Sequence, residues 1–312
     1  MLTVNRKFYY LCRMITPSSL SSGSKVALVA PARKVTESDI AYAVEYIKEQ
    51  GFVPVYDEQL FLSHNQFAGS DEERAAVMQR YLDAPDIDAI ICVRGGYGTV
   101  RIIDRLNFDK FMQKPKWVVG YSDVTVLHAK LQSLGVESLH ATMPINFQDN
   151  TPQSLDSLFD VLTGKSIIYE IEPTAKSQQP KANAQLVGGN ISVLYSLLGS
   201  DIFPDTRDKI LFLEDLDEYL YHIDRMMFAF ERAGKFDDIK GLIVGGLTKM
   251  HDNAINFGQP AEEIILDRVR DKNIPVIFDF PAGHIDDNRA LVLGRMTEID
   301  FGDKIVIKQK EI

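Results

Sequence analysis

The stretch KWVVGYSDVTVLHAKLQSLG, residues 116–135, contains the turn on which the predicted fold depends. Its first half is an apolar run typical of a buried strand, and its second half has the apolar spacing of a helix. A serine between such a strand and such a helix lies on a sharp bend with its hydroxyl outward, facing the amide groups that follow. Ser122 therefore has the surroundings of a nucleophile, although a serine that only caps the helix gives the same pattern.

The strand-to-helix order of this stretch repeats along the chain. From Lys25 onward, short β-rich runs alternate with amphipathic helical runs, which predicts an α/β protein with an open, mostly parallel sheet flanked by helices. The runs at 88–98 and 117–123 end in glycine-containing loops, and the carboxyl edge of such a sheet is where ligands bind. The other predicted strands are 25–32, 52–56, 209–215, 241–247, 275–280 and a final pair around 290–294 and 304–309.

Two domains are expected from the length of 312 residues. The alternation stops in IEPTAKSQQPKANAQ, residues 171–185, a polar stretch with two prolines. The predicted boundaries are a disordered leader at 1–23, an N-terminal α/β domain at 24–165, a linker at 166–185 and a C-terminal α/β domain at 186–312. The nucleophile would lie on the first domain.

Composition excludes several classes of protein. The formal net charge of −10 disfavours nucleic acid, whose binding needs a basic surface. Cys12 and Cys92 form no paired motif, which disfavours a disulfide framework or a cysteine-based zinc site. No apolar run is long enough to span a membrane, and the five-residue run at 8–12 is shorter than the core of a signal peptide. We expect a cytoplasmic protein with a small-molecule or protein partner.

A serine nucleophile needs a base within hydrogen-bond reach. His284 is the preferred candidate because it follows the apolar strand of PVIFDFPAGHIDDN, where loops of the ligand edge lie. The competing histidines are His64, His128, His140, His222 and His251.

The acid that orients the base has a similar candidate. Glu214 ends the apolar strand in ILFLEDLDEY, where a carboxylate can be buried against an imidazole. A solvated acidic turn explains the same letters, and Asp215, Asp217 and Glu218 are alternatives.

The loop VRGGYGT, residues 93–99, supplies a third element. Gly95 and Gly96 allow backbone N–H groups to approach a ligand closely, and one of them could join the amide of Asp123 in an oxyanion hole. The loop lacks the Lys-Ser/Thr ending of a phosphate-binding loop and the G-x-G-x-x-G spacing of a dinucleotide site. A plain turn is the alternative.

Taken together, the motifs resemble those of one family. The chain from about residue 24 to its end is similar to the LD-carboxypeptidases of serine peptidase family S66, which includes muramoyltetrapeptide carboxypeptidases and microcin C immunity peptidases. The matching stretches are VALVAPA (26–32), ICVRGGYGTVRIID (91–104), VVGYSDVTVLH (118–128), HATMP (140–144), LVGGNISVL (186–194), ILFLEDLDEYLYHIDRM (210–226) and PAGHIDDN (281–288).

The resemblance implies a Ser-His-Glu triad on a two-domain α/β fold. Ser122 would be the nucleophile, His284 the general base and Glu214 its orienter, with an oxyanion hole made by the amide of Asp123 and by one of the glycines 95 and 96. The implied activity is release of a terminal D-amino acid from an L-centred residue of murein tetrapeptide during peptidoglycan recycling. The family implies no cofactor or metal, and its members are commonly homodimers.

Two alternative functions remain open at this point. One is an immunity-type peptidase that cleaves aminoacyl-nucleotide amides with the same triad, and the other is a ligand-binding protein without catalysis. Arg225 is a candidate for binding the substrate carboxylate and Asn190 for lining the cavity, although a structural ion pair and a helix cap, respectively, explain these residues too. Trp117, in the strand before Ser122, is expected in the core.

Overall fold

The computed structural model describes residues 14–174, 177 and 180–310. The strands are β1 Lys25–Val29, β2 Val53–Val55, β3 Ala89–Cys92, β4 Trp117–Gly120, β5 Ser138–His140, β6 Ile167–Ile171, β7 Ala182–Asn190, β8 Ile210–Leu216, β9 Gly241–Thr248, β10 Val276–Ile277, β11 Leu291–Leu293, β12 Met296–Phe301 and β13 Ile305–Gln309. The helices are α1 Glu37–Glu49, α2 Asp71–Asp83, α3 Thr125–Ser133, α4 Pro152–Leu162, α5 Ile191–Ser196, α6 Leu220–Arg232 and α7 Ala261–Leu266.

The first sheet has the strand order β11-β5-β4-β3-β1-β2 and is parallel apart from β11. Its strands are apolar throughout because both faces are covered: Val26 and Leu28 face one hydrophobic cluster, whereas Ala27 and Val29 face another. The helix α1 packs on the first cluster, and α2 and α3 pack on the second. The carboxyl ends of β3 and β4 therefore lie side by side.

The second sheet has the order β10-β9-β8-β7-β12-β13-β6. The strands β7 to β10 are parallel, and β12, β13 and β6 add an antiparallel half. The helices α5, α6 and α7 cover one face of β7, β8 and β9. The other face contributes Phe212 and Ile243 to the cluster that contains Val26 and Leu28, so one core joins the two sheets. These two sheets with their helices confirm the predicted two-domain α/β fold.

The helix starts follow local chemistry that the sequence shows. Ser70 accepts a hydrogen bond from the Glu73 backbone N–H at 3.2 Å, and the Glu73 carboxylate accepts one from the Ser70 backbone N–H at 2.8 Å. This reciprocal cap satisfies two amide groups that the first turn of α2 leaves unpaired. Asp39 accepts the corresponding bond from the Thr36 backbone N–H at 2.7 Å, before α1.

The C-terminal end of the chain differs from the prediction. The runs around 290–294 and 304–309 were expected to pair with each other, but β11 pairs with β5 of the first sheet and β13 pairs with β12. The strand β11 joins the first sheet at the edge next to β5, where its three apolar residues are buried. The partner of β13 is β12, residues 296–301. Most of its residues alternate between half-buried and buried, as expected for a strand with only one face covered.

The predicted linker at 166–185 is not a structureless connection. It contains β6 and the start of β7, so the polar stretch shortens to the residues between these strands. The strand β6 reads IIYEI with alternating buried and exposed residues, because it lies at the antiparallel edge of the second sheet.

The predicted leader falls partly outside the described residues, which begin at Met14. Residues 14–23, expected to be disordered, pack on the first domain. The Ile15 backbone N–H donates to Gly135 O at 2.7 Å, and the Glu137 N–H donates to Ile15 O at 3.0 Å. Leu20 is buried in the core that also contains α1. Within residues 14–174, 177 and 180–310, no helix is both long and apolar enough to cross a bilayer.

Candidate active site

Ser122 lies on a sharp bend immediately after β4. The backbone of Tyr121 is extended, whereas Ser122 has φ = 63°. This left-handed conformation is energetically unfavourable for residues other than glycine. A turn of 3₁₀ helix, Ser122–Val124, then leads into α3. In the described part of the chain no side chain caps α3, so Ser122 is not held there as a helix cap. This strained serine at a strand-to-helix junction is the geometry expected of an exposed nucleophile.

The glycine loop after β3 lies against Ser122. A Cβ atom added to Gly95 would be 3.1 Å from Ser122 Cβ, 3.2 Å from its Oγ and 3.4 Å from Asp123 N, so a larger residue here would push against Ser122. The Asp123 carboxylate accepts a hydrogen bond from Thr99 N at 2.8 Å, which ties the end of the loop to the bend. Burial raises the pKa of Asp123. Gly95 and the Asp123 nitrogen therefore lie close to Ser122 Oγ.

Glu214 and His284 form a pair on the second sheet. The Glu214 Oε2 atom is 2.7 Å from His284 Nδ1, and the Glu214 side chain has 0% exposure against 13% for His284. Glu214 lies in the buried strand β8, and His284 lies in the loop after β10. The contact engages Nδ1 of the ring and leaves Nε2 for another partner.

Gly283 makes this approach possible. It has φ = +100°, and a Cβ atom there would lie 2.7 Å from Glu214 Oε2 and 2.8 Å from Glu214 Cβ. The Gly283 N–H donates to the side-chain oxygen of Asn288 at 2.8 Å, and His284 O accepts from Thr248 Oγ1 at 3.1 Å. The loop is therefore fixed on both sides of the imidazole.

Glu214 and His284 each favour the charged form of the other. Burial alone would raise the pKa of Glu214, but the adjacent positive charge of His284 holds that pKa well below its usual range. Burial likewise would lower the pKa of His284, and the Glu214 carboxylate outweighs it, so the pKa of His284 is raised. The carboxylate thus stabilises an imidazolium when one forms.

Ser122 and His284 line one cavity of about 580 Å³ between the two domains. Gly95, Gly96 and Tyr121 line it as well. Leu216, Asp217 and Glu218 form the wall from the second sheet, and the remaining lining residues are Arg33, Arg94, Met143, Ile145 and Asn146. The sequence-predicted serine, base and glycine loop are therefore brought together, with Glu214 directly behind the base.

The alternative acids are engaged elsewhere. Asp215 accepts hydrogen bonds at 2.9 Å from Asn190 Nδ2, Ser192 N and Leu216 N. Its burial and the adjacent Glu214 carboxylate raise the pKa of Asp215 to about 7.

Asp217 and Glu218 bind other histidines. The Asp217 Oδ1 atom is 2.6 Å from His251 Nε2, and the Glu218 Oε2 atom is 2.5 Å from His222 Nδ1. Glu214 is thus the acid that contacts His284.

The other histidines do not line the cavity that contains Ser122. His128 is buried, with Nε2 2.8 Å from Gly120 O and Nδ1 2.9 Å from Ser138 Oγ. His64 pairs with Phe67 through its backbone in a turn. His140 is buried with its Nε2 4.0 Å from Glu214 Oε1, longer than a hydrogen bond.

The two proposed substrate-binding residues lie away from the cavity lining. Arg225 is exposed on α6, with its guanidinium 5.2 Å from the centre of the Tyr221 ring. Asn190 caps α5 by accepting from Val193 N at 3.1 Å, and its own N–H donates to Thr125 Oγ1 at 3.1 Å. The helix-cap interpretation of Asn190 is therefore the one that the structure supports.

Two lining residues had no predicted role. The Tyr121 ring lies 4.8 Å from the His284 ring, and its hydroxyl donates to Asn146 Oδ1 at 3.1 Å. Arg33, in the loop after β1, reaches across Gly96. The position of Tyr121 within the GYSD motif could have predicted its place in the site. Arg33 offers no such indication, because it is far from the other site residues along the chain. Trp117 is buried in the core, as expected.

Comparisons with known proteins agree with this architecture. The LD-carboxypeptidase N-terminal domain matches residues 26–141, and the LD-carboxypeptidase C-terminal domain matches residues 183–299. A probable murein peptide carboxypeptidase of Bacillus subtilis is 30% identical over 93% of both chains. The microcin C7 self-immunity protein of Escherichia coli is 26% identical over 88% of this chain and 89% of its own.

A solved structure has the same fold. The muramoyltetrapeptide carboxypeptidase from Oxalobacter formigenes superposes with a TM-score of 0.84 at 26% identity, over 92% of this chain and 99% of that one. The two family matches fall on the two sheets, and the cavity lies between them. The chain belongs to the LD-carboxypeptidase family of peptidases.

Proposed function

We propose that this protein is a serine carboxypeptidase that removes the terminal D-amino acid from an L-centred residue of murein tetrapeptide. The observation that carries the proposal is the contact of 2.7 Å between Glu214 and His284 in the wall of the cavity that also holds Ser122. A buried carboxylate behind an imidazole, facing a strained serine, is the arrangement of an acyl-transfer triad.

The chemistry follows from this placement. With its Nδ1–H donated to Glu214, His284 accepts the Ser122 proton at Nε2 while Oγ attacks the scissile carbonyl carbon. The amide of Asp123 and a glycine amide of the loop at 95–96 stabilise the oxyanion. His284 then gives its proton to the leaving amine, the terminal amino acid departs, and water hydrolyses the ester on Ser122 by the same steps in reverse order.

The substrate class rests on the relatives. A probable murein peptide carboxypeptidase and a muramoyltetrapeptide carboxypeptidase both align over more than nine-tenths of this chain. Their names support a peptide of the cell wall as substrate, and peptidoglycan recycling is the process that the family resemblance implies.

A second candidate is an immunity-type peptidase that cleaves aminoacyl-nucleotide amides. The similarity to the microcin C7 self-immunity protein supports it, and so does one structural feature. Tyr219 and Tyr221 are 43% and 41% exposed, and their ring centres are 5.5 Å apart. In the chain they come directly after Glu218, which lines the cavity. Exposed rings of this kind can stack on a nucleobase.

Mass spectrometry separates the two candidates. The purified protein is incubated with murein tetrapeptide and, separately, with an aminoacyl-sulfamoyl adenylate, each beside the Ser122→Ala variant. Loss of one alanine from the tetrapeptide, absent in the variant, supports the carboxypeptidase. Cleavage of the adenylate alone supports the immunity-type peptidase, and no reaction with either compound supports a binding protein.

The cellular setting is part of the proposal. We expect a cytoplasmic location from the composition and a homodimer from the family resemblance. Light scattering on the purified chain measures the mass in solution, and a value near twice 35.2 kDa is expected.

A further inference from the structure

The wall of the cavity that comes from the first domain is positively charged. Arg33 and Arg94 both line it, beside Gly95, Gly96 and Ser122. Neither forms an ion pair with a carboxylate of the described residues; the Arg94 guanidinium donates to Lys34 O at 3.1 Å. The charge of Arg33 acts on Asp123 and that of Arg94 on Asp39, but neither carboxylate lies within ion-pair distance. Both guanidinium groups can therefore bind an anionic ligand beside the nucleophile.

Arg33 is held over the glycine loop. A Cβ atom on Gly96 would lie 2.5 Å from Arg33 Cδ and 2.7 Å from its Nε, so the arginine crosses the loop where a larger residue would exclude it. The Arg33 backbone N–H donates to Gly95 O at 3.4 Å, which fixes the base of the side chain to the same loop. The guanidinium therefore lies one residue from Gly95, the glycine that faces Ser122.

The opposite wall carries negative charge. Asp217 and Glu218 line it from the second domain, each in contact with a histidine. An anionic group of the substrate is repelled from that wall and attracted to the arginines, so the cavity orients a charged ligand in one direction.

We propose that Arg33 and Arg94 bind the C-terminal carboxylate of the substrate and thereby make this site an exopeptidase. This inference rests on the proposed function. In a carboxypeptidase substrate the free carboxylate lies one residue beyond the scissile carbonyl, a step of about 3.8 Å along the chain. Arginine suits this role because its planar group donates two parallel hydrogen bonds to a carboxylate. The role for which Arg225 was one candidate is here given to the residues that line the cavity.

The test compares two forms of one substrate. Murein tetrapeptide with a free terminal carboxylate and the same peptide ending in a carboxamide are each assayed with the wild-type protein. The variants are Arg33→Gln, Arg94→Gln, Arg33→Lys and, as the matched control outside the cavity, Arg225→Gln. Circular dichroism and melting temperature confirm that each variant is folded.

The wild-type protein is expected to cleave the acid form with a kcat/KM about tenfold or more above that of the amide form. In Arg33→Gln and Arg94→Gln the ratio of the two kcat/KM values falls towards one, because the acid form loses more activity than the amide form, mainly through a higher KM. Arg33→Lys retains part of the advantage because it keeps the charge but not the paired donors. Arg225→Gln retains all of it.

Two results overturn the inference, and they are distinguishable. If the wild-type protein cleaves both forms and the arginine variants keep the wild-type ratio, the carboxylate site is wrong while the proposed function stands. If the wild-type protein cleaves neither form, or Ser122→Ala cleaves both, the proposed function fails and the carboxylate site fails with it.

Discussion

At the residue scale, the carboxylate of Glu214 is fully buried and faces the imidazole of His284. Replacing Glu214 by Gln preserves the shape of the side chain but removes the charge that orients the ring and stabilises the imidazolium. We expect kcat to fall by about 10³-fold or more, as it does when the orienting carboxylate of other serine triads becomes an amide. The measurement is steady-state hydrolysis of the tetrapeptide.

The matched control for this change is Asp286→Asn. It removes a carboxylate two positions after His284 from an exposed residue that does not line the cavity. A wild-type rate in Glu214→Gln would assign the orienting role to another acid.

The pH profile should report His284 directly. As a general base His284 must be neutral, and the Glu214 carboxylate raises its pKa above the ordinary value of 6.5 despite the opposing effect of burial. Activity is therefore expected to rise with pH through a midpoint above 6.5. In Glu214→Gln the raising charge is lost and burial remains, so the midpoint of the residual activity moves to lower pH. The measurement is kcat/KM of both proteins from pH 5 to pH 9, and an unchanged midpoint would contradict this pairing.

Side chains near the site were predictable to different degrees. Ser122 and His284 follow apolar runs of the sequence and Glu214 lies near the end of one, so the sequence indicates that they lie at a sheet edge. No comparable sequence pattern indicates whether Arg33 or Arg225 lies in the site. Their positions depend on which loops and helices meet in three dimensions, and Arg225 points away over Tyr221.

At the scale of elements, the loop after β10 depends on one glycine. Gly283 combines φ = +100° with a close approach to Glu214, so Gly283→Ala adds both backbone strain and a clash at 2.7 Å. We expect a lower melting temperature and a loss of kcat, because the imidazole must shift away from the carboxylate.

A suitable control is Gly258→Ala. Gly258 has a similar φ of +93°, but a Cβ atom there meets nothing within 4 Å. Backbone strain alone should therefore reduce stability slightly and leave kcat unchanged. Equal effects of the two substitutions on kcat would show that a clash with Glu214 is not the reason why residue 283 must be glycine.

The central strands of both sheets were predictable because they are continuous apolar runs. The edge strands were not. Residues 167–171 alternate between buried and exposed, and polar residues follow them. The segment was therefore predicted to be part of a linker rather than a strand. The pairing of β11 with β5 depends on contacts between residues about 150 positions apart, which no local pattern records.

At the scale of the whole molecule, the site exists only where the two domains meet. Ser122 comes from the first sheet, and Glu214 and His284 come from the second. Arg295, beyond β11, donates to Glu137 Oε2 at 2.7 Å, and both side chains are buried. This ion pair and the Asn190 to Thr125 hydrogen bond hold the domains in register.

Breaking this ion pair should weaken the whole protein. Arg295→Ala leaves Glu137 buried without its partner, and removing one member of a buried pair typically costs about 3–5 kcal/mol of unfolding free energy. We expect a corresponding decrease in urea denaturation experiments. The double variant Glu137→Leu/Arg295→Leu should recover part of the loss. A double variant less stable than Arg295→Ala would contradict the buried charge as the cause.

The measurement that tests the central claim most directly is capture of the acyl-enzyme. The protein is mixed with tetrapeptide, quenched in acid within the first turnover, digested and analysed by mass spectrometry. The triad predicts that the peptide containing Ser122 carries the mass of the acyl part of the substrate and that the Ser122→Ala variant carries none. Turnover of the tetrapeptide by Ser122→Ala, or an adduct on another residue, would contradict the assignment of Ser122 as the nucleophile.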